Sequence, residues 1–509
     1  MLPGSLVAAL AKVELFHTAA GVAYADLVTA DHRETWPVHS KRFRGWLRRC
    51  HYRATGEALS AGVLRSALDL LDARAQFDAP ERAVHIRVAQ YAGRIYLDLA
   101  DACWRAVEID PDGWRVVAAP PIRFRRPPGM LPLPQPKHRG SFEDLGVEDL
   151  GSLLNLRSRD DLVLVVAWLF AVLRGAGPYP VLAISGEQGS AKTMLSKLLR
   201  ALVDPNTAPV RALSREQREL MIAANNGHML AFDNLSTMPS WLSDALCRLA
   251  SGGSFAVRQL YTDDDEVLFE AARPILLNGI EDTISRVDLA DRAVFLNLSP
   301  IAEEERRSEA ELWREFEVKR PSIMGALLDA VATGLRHLPR LRLERLPRMA
   351  DFALWATACE SVIWPAGTFM RAYETNRKAT IADAVDADPV AACVREIMAE
   401  RSSWTGSAAD LLREGADLAG DGVLITNWPT NPRALAGRLR RAQTFLRTLG
   451  IEIAFSREGR AGSRIIRMRR VPEEIVSNVG NGQHDRAGPR PGYSAPGSEC
   501  DVFSDHRAT

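Results

Sequence analysis

Residues 181–205 read VLAISGEQGSAKTMLSKLLRALVDP. A short apolar strand runs into a glycine-bearing loop, then Lys192-Thr193, then an apolar-periodic helix. That is the layout of a phosphate-binding loop, where backbone N–H groups at a helix N-terminus cradle phosphate oxygens. The spacing places Gly186, Glu187, Gln188, Gly189, Ser190, Ala191, Lys192 and Thr193 around a nucleotide, with ATP the expected ligand. Lys192 is expected to reach the β/γ-phosphates and the Thr193 hydroxyl to hold Mg²⁺. The full pattern, G-x-x-x-x-G-K-[ST], wants glycine at position 191. Alanine stands there, the smallest side chain that can replace glycine where backbone approaches phosphate. The chain otherwise favours arginine, yet keeps lysine where a compact point charge is wanted.

Working outward, residues 228–236 read HMLAFDNLS. Residues 229–232 predict a strand ending at Asp233, a carboxylate placed for the Mg²⁺ shell. The following residue is Asn234, an amide that cannot take a proton; Glu187 and Glu216 are the available substitutes. Residues 273–279, RPILLNG, predict a third core strand ending at Asn278, which can contact the γ-phosphate or position water. Residues 282–298, DTISRVDLADRAVFLNL, predict a short helix with Arg286 and Arg292 before another strand. An arginine so placed can insert into a neighbouring subunit's site. Strand–helix alternation through 181–300 implies an α/β fold with a parallel sheet.

A chain of 509 residues should hold several domains. Its 64 basic and 64 acidic residues balance, so any nucleic-acid partner must be recognised by local clusters. Six scattered cysteines, with no C-x-x-C pair, argue against a disulfide framework or zinc ribbon and suit a reducing cytoplasm. No signal peptide is evident, and the longest apolar run, Leu162 to Leu173, is too short to span a bilayer. No membrane partner is therefore expected. The domains expected are a mixed α+β region over 1–126, a proline-rich linker over 127–144 and the nucleotide core over 145–300. A helical connector over 301–385, a compact domain over 386–470 and a disordered tail over 471–509 follow. Basic aromatic stretches such as 39–46 and 123–126 can contact nucleic acid, though such stretches are more often ordinary surface around a packed tryptophan. Asp98, Asp101, Asp110 and Asp112 read as turn formers.

The 386–470 region runs helix, loop, helix, then two strands joined by a turn, a winged-helix order. Arg433, Arg438, Arg440 and Arg441 lie on its second helix, and Arg457, Arg460 and Arg464 on its hairpin. A recognition-type helix beside a basic wing is a duplex-binding surface.

Together these motifs resemble the superfamily 3 helicases, including the poxvirus-type primase-helicases, of viruses, phages and mobile elements. That group is of the AAA+ class. The likeness covers about residues 150–300, and its distinctive segment is SGGSFAVRQLYTDDDEVLFEAARPILLNGI (251–280). Gly252, Gly253, Arg258, Pro274 and Asn278 fall in the family's order. The resemblance implies an AAA+-type P-loop core with catalytic roles for Lys192 and Asp233. It makes Asn278 the sensor and Arg292, with Arg286 second, the arginine acting in trans. It further implies ATP hydrolysis between subunits of a ring, expected to be a hexamer, that acts on DNA in replication. A primase or other replication proteins would be further partners. Two features depart from the family: Asn234 replaces the second acidic residue, and the hairpin tip, Thr262-Asp263-Asp264-Asp265-Glu266, is acidic where the helicases carry basic residues. Both fit an alternative, a non-translocating DNA-bound regulator or loader switched by ATP.

Overall fold

The computed structural model describes residues 3–11, 13–29, 32–138, 146–213, 216–235, 238–258, 266–270, 272–279, 289, 291–419, 428–458 and 463–471. Two compact units divide the chain, 1–392 and 393–509.

The first unit is organised by five strands: β1 (Val181–Gly186), β2 (Arg211–Ala212), β3 (Leu230–Leu235), β4 (Ile275–Gly279) and β5 (Ala293–Leu298). Their order is β2-β3-β4-β1-β5 and every pairing is parallel. Val181–Ile184, Ile275–Leu277 and Ala293–Leu296 are buried, as continuous apolar strands are when helices cover both faces of a sheet. Ahead of β1 lie two helices, Val147–Gly151 and Arg159–Leu173. A capping box of Ser158 and Asp161 starts the second helix, and Leu162 to Leu173 are buried without exception. The apolar run is thus a core helix. Among the described residues no helix is long and apolar enough to cross a membrane.

Residues 1–126 form two parts. The first is a three-stranded antiparallel sheet (Val13–His17, Ala23–Val28, Arg33–Pro37) packed by helices Lys41–Thr55 and Ala61–Phe77. It has its own core, including Phe43, Leu47 and Leu68. The second is a four-stranded meander: Val88–Tyr91, Arg94–Asp98, Ala106–Asp110 and Gly113–Val117. Its inward residues Ile95, Leu97, Val107, Ile109 and Trp114 join the core built around the 159–173 helix. The meander therefore shares the core of the parallel sheet, a partnership that no local sequence signal reveals. Asp98 accepts the Ala100 N–H, Asp101 that of Arg105, and Asp110 those of Asp112 and Gly113, as turn formers do.

The proline-rich stretch expected as a linker is a fastened strap over its described part, 127–138. Leu131 N donates to Pro205 O (2.9 Å), Leu133 N to Leu99 O (2.9 Å) and Lys137 N to Pro321 O (3.0 Å). His138 stacks on Trp114 with centroids 3.7 Å apart. Proline fits such a strap because it brings no N–H of its own to satisfy. The strap crosses the 29-residue helix Glu309–His337 beside its internal Pro321.

The second unit runs from residue 393, within the helix Pro389–Glu400, through strand Ser403–Gly406 and helices Ala408–Ala419 and Pro432–Thr448 to a hairpin of Ile451–Glu458 and Ser463–Arg470. The 463–470 strand lies between the other two, with both pairings antiparallel. Sequence reading missed Ser403–Gly406, which is too short for a periodicity; its Trp404 is buried opposite Met468. In the predicted tail, Val471 is described and buried, and 472–509 lie outside the described residues.

Candidate functional site

The carboxyl ends of β1, β3 and β4 open together, and the loop after β1 occupies that rim. Gly186 leaves the strand at φ +142°, and a Cβ there would overlap the Leu298 carbonyl at the end of β5. Only glycine lets the chain turn away at that point. Ser190 Oγ donates to Glu187 O (2.8 Å). Lys192 Nζ donates to Gly186 O (2.8 Å) and Glu187 O (2.7 Å), so the ammonium sits inside the loop. Ala191 is the N-cap of the helix Lys192–Val203 and lies in the left-handed region, φ 61° and ψ 26°. The irregular alanine therefore occupies a conformation that ordinarily favours glycine. Leu195, Leu198, Leu199 and Leu202 bury the other face of this helix and fix its N-terminus at the rim.

Three polar side chains converge beside the loop. Asn278 Nδ2 donates to Asp233 Oδ1 (2.6 Å) and lies 3.4 Å from Thr193 Oγ1. Thr193 Oγ1 lies 3.3 Å from the same Asp233 oxygen. Register explains the meeting: Phe232 pairs with Leu277, so the next residues of β3 and β4 emerge side by side. A bulge between Phe232 and Leu235 then places Asn234 at φ 59°, with its side chain exposed. Asparagine tolerates that left-handed position better than most residues, which gives Asn234 a backbone reason.

One hydroxyl and one carboxylate oxygen beside this glycine-bearing loop are a donor set that suits Mg²⁺, which keeps several waters and takes few protein ligands. Among the described residues no group of three or more His, Cys, Asp or Glu forms an all-protein metal cage.

Asn155 was missed by sequence reading. Its Nδ2 donates to Ser190 O (3.1 Å) and Ser299 O (2.7 Å), pinning the loop to the chain after β5. No local motif marks it, because its partners lie 35 and 144 residues away. Arg292 stands at the opposite end of β5, where its carbonyl accepts the Val181 N–H (3.0 Å). About 20 Å of strand separates it from the loop end of β5, so it does not join its own chain's cluster. Arg286 and the tip residues 262–265 lie outside the described residues, as does the side chain of Glu266.

In the second unit, Arg433, Arg440, Arg457 and Arg464 line one cleft of about 660 Å³. The Arg440 guanidinium lies over the Phe455 ring, 4.6 Å from its centroid. The cleft also takes in Ser407 and Pro432, at the starts of two helices. Among the described residues none of these four arginines is ion-paired. Arg441 is exposed outside the cleft lining, Arg438 is half-buried, and Arg460 lies outside the described residues.

Residues 147–386 match the family model of the actinomycete integrative conjugative element replication protein, and 390–482 match that of the AICE RepA C-terminal domain. By both matches, these stretches are those of a mobile-element replication protein. No curated protein matches the chain. Among solved structures it is similar to the apo C-terminal region of NrS-1, at 12% identity and a TM-score of 0.42, covering 92% of this chain and all of that one. A JCV helicase bound to a thiazolopyridine acetamide is similar at 14% identity and a TM-score of 0.26, over 47% of this chain and 65% of that one.

Proposed function

We propose that this replication protein binds ATP·Mg²⁺ at the 186–193 loop and couples nucleotide turnover to DNA. The observation that carries the reading is the convergence of Thr193, Asp233 and Asn278 within hydrogen-bond reach, beside a loop that encloses the Lys192 ammonium. Thr193 and Asp233 would hold Mg²⁺, which would supply charge neutralisation to the phosphates. Lys192 would leave its carbonyl partners for the β/γ-phosphates, and Asn278 would orient the γ-phosphate or its attacking water. Arg292, remote from its own loop, would complete the site of a neighbouring copy in a hexameric ring of the superfamily 3 type. The order of the second unit, with its short strand paired to the hairpin, supports a winged helix that places Arg433, Arg440, Arg457 and Arg464 against duplex phosphates.

A second reading has one observation in its favour. The bulge that holds Asn234 leaves no carboxylate directly after Asp233, which suits an ATP-switched loader or regulator that does not translocate. ATP hydrolysis and strand separation, measured with and without forked DNA, divide the two. DNA-stimulated unwinding is expected of the motor; ATP-dependent assembly on DNA without unwinding selects the switch. Lys192→Ala should abolish ATP binding, and an unchanged affinity would remove the loop from the function.

A further inference from the structure

The chain that leaves β5 turns back along the nucleotide loop. Ile301 N donates to Gly189 O (3.4 Å), and Asn155 ties Ser299 O to Ser190 O from the other side. A short 3-10 turn, Glu303–Glu305, then brings Arg306 round. A Cβ built on Gly189 would lie 4.0 Å from Arg306 Nη2, which places the guanidinium beside the exposed middle of the loop. Arg306 pairs with Glu303 at 3.7 Å, between side chains that are 55% and 84% exposed. An ion pair that open is worth little and is readily exchanged for a phosphate oxygen.

We propose that Arg306 is a second cationic phosphate ligand of this loop, supplied by the same chain, with Asn155 as the residue that positions its segment. The proposal rests on the nucleotide reading and adds to it the partner for phosphate charge that Lys192 leaves unneutralised. A guanidinium presents a planar fork to phosphate oxygens, where the lysine offers a single point charge.

The test uses the full chain, titrated with fluorescent ATP and ADP analogues in Mg²⁺. Arg306→Ala is expected to weaken ATP binding about tenfold, and Arg306→Lys to recover part of the loss. The nucleotide-free unfolding midpoint should not move, because the side chain is exposed. A loss shared by ADP places the contact on the β-phosphate, and a loss confined to ATP places it on the γ-phosphate. Asn155→Ala should weaken ATP binding in the wild-type background and add little in Arg306→Ala, since both changes remove one interaction. ATP affinity within about twofold of wild type in Arg306→Ala, alongside lost binding in Lys192→Ala, overturns the proposal. Wild-type affinity in Lys192→Ala instead overturns the nucleotide reading itself, and this proposal with it.

Discussion

Ala191 holds a left-handed backbone that costs a residue with a Cβ about 1–2 kcal/mol. Ala191→Gly removes that cost, while a freer unfolded chain takes part of the gain back. The variant should be more stable by about 1 kcal/mol in urea unfolding, and a lower midpoint would show that the alanine methyl packs usefully. The same scale explains why Asn234 was legible only as a departure. Its identity was plain in the sequence, but its positive φ depends on a bulge whose partner strand lies more than 40 residues onward. Lys192, Thr193 and Asp233 were legible because each sits at the end of a local apolar element. Asn155 and Arg306 were not, because nothing near them in sequence encodes the loop they approach.

At the scale of elements, the strap and the helix it crosses make a close backbone contact. Lys137 O lies where a Cβ on Gly325 would have to go. Gly325→Ala should lift the strap and destabilise the protein by about 2 kcal/mol. In Gly437→Ala, within the helix Pro432–Thr448, the nearest atom to the new Cβ is Arg441 Nη1 at 4.0 Å. That change should stabilise its unit by about 0.5–1 kcal/mol through helix propensity alone. Opposite signs in parallel urea titrations are expected; equal signs would mean the strap is not fastened there. The basic helix and hairpin make a second element-scale prediction. Replacing Arg433 and Arg440 with Ala should weaken duplex binding and shallow the slope of log K against log salt by about two phosphate contacts. Replacing the half-buried Arg438 alone should leave the slope unchanged. A slope indifferent to the cleft arginines would take that cleft out of the DNA interface.

Across the whole first unit, a buried polar cluster fastens the meander to the core of the parallel sheet. Asp204, at the end of the helix that begins with Lys192, accepts from Arg87 Nε (3.1 Å), His228 N (3.1 Å) and Met229 N (3.2 Å). Arg87 also donates to the Asp98 and Leu131 carbonyls, at 2.8 Å each, so one guanidinium joins meander, strap and core. Burial pushes the Asp204 carboxyl up, but Arg87 and Arg200 outweigh it and hold the group below its ordinary value. Burial pushes the His228 imidazole down to about 4, against the pull of Asp204, while its Nε2 donates to Val172 O (2.8 Å). Unfolded histidine titrates near 6.5, so the unfolded state binds more protons between those values. Stability should be complete above pH ~6.5 and fall as the pH drops towards 4, by up to about 3 kcal/mol from this residue. The urea midpoint from pH 7.5 to 4.5 measures it, and His228→Gln should flatten the decline. A decline of unchanged size would assign it to other groups.

The sequence by itself determined the local elements of the candidate site: the apolar strand, the glycine loop, Lys192-Thr193, and strands ending in Asp233 and Asn278. Periodicity and turn chemistry act within a dozen residues, and these features lie within that range. The tertiary structure decided what those features meet. Parallel register brought Thr193, Asp233 and Asn278 within 3.4 Å of one another. Shared burial assigned the meander to the core of the parallel sheet, and long-range hydrogen bonds made a strap of a proline-rich stretch. The return of the chain after β5 set Arg306 beside the loop that opens at Gly186. Such pairings are chosen by burial and hydrogen-bond satisfaction over the whole chain, and no single segment carries them.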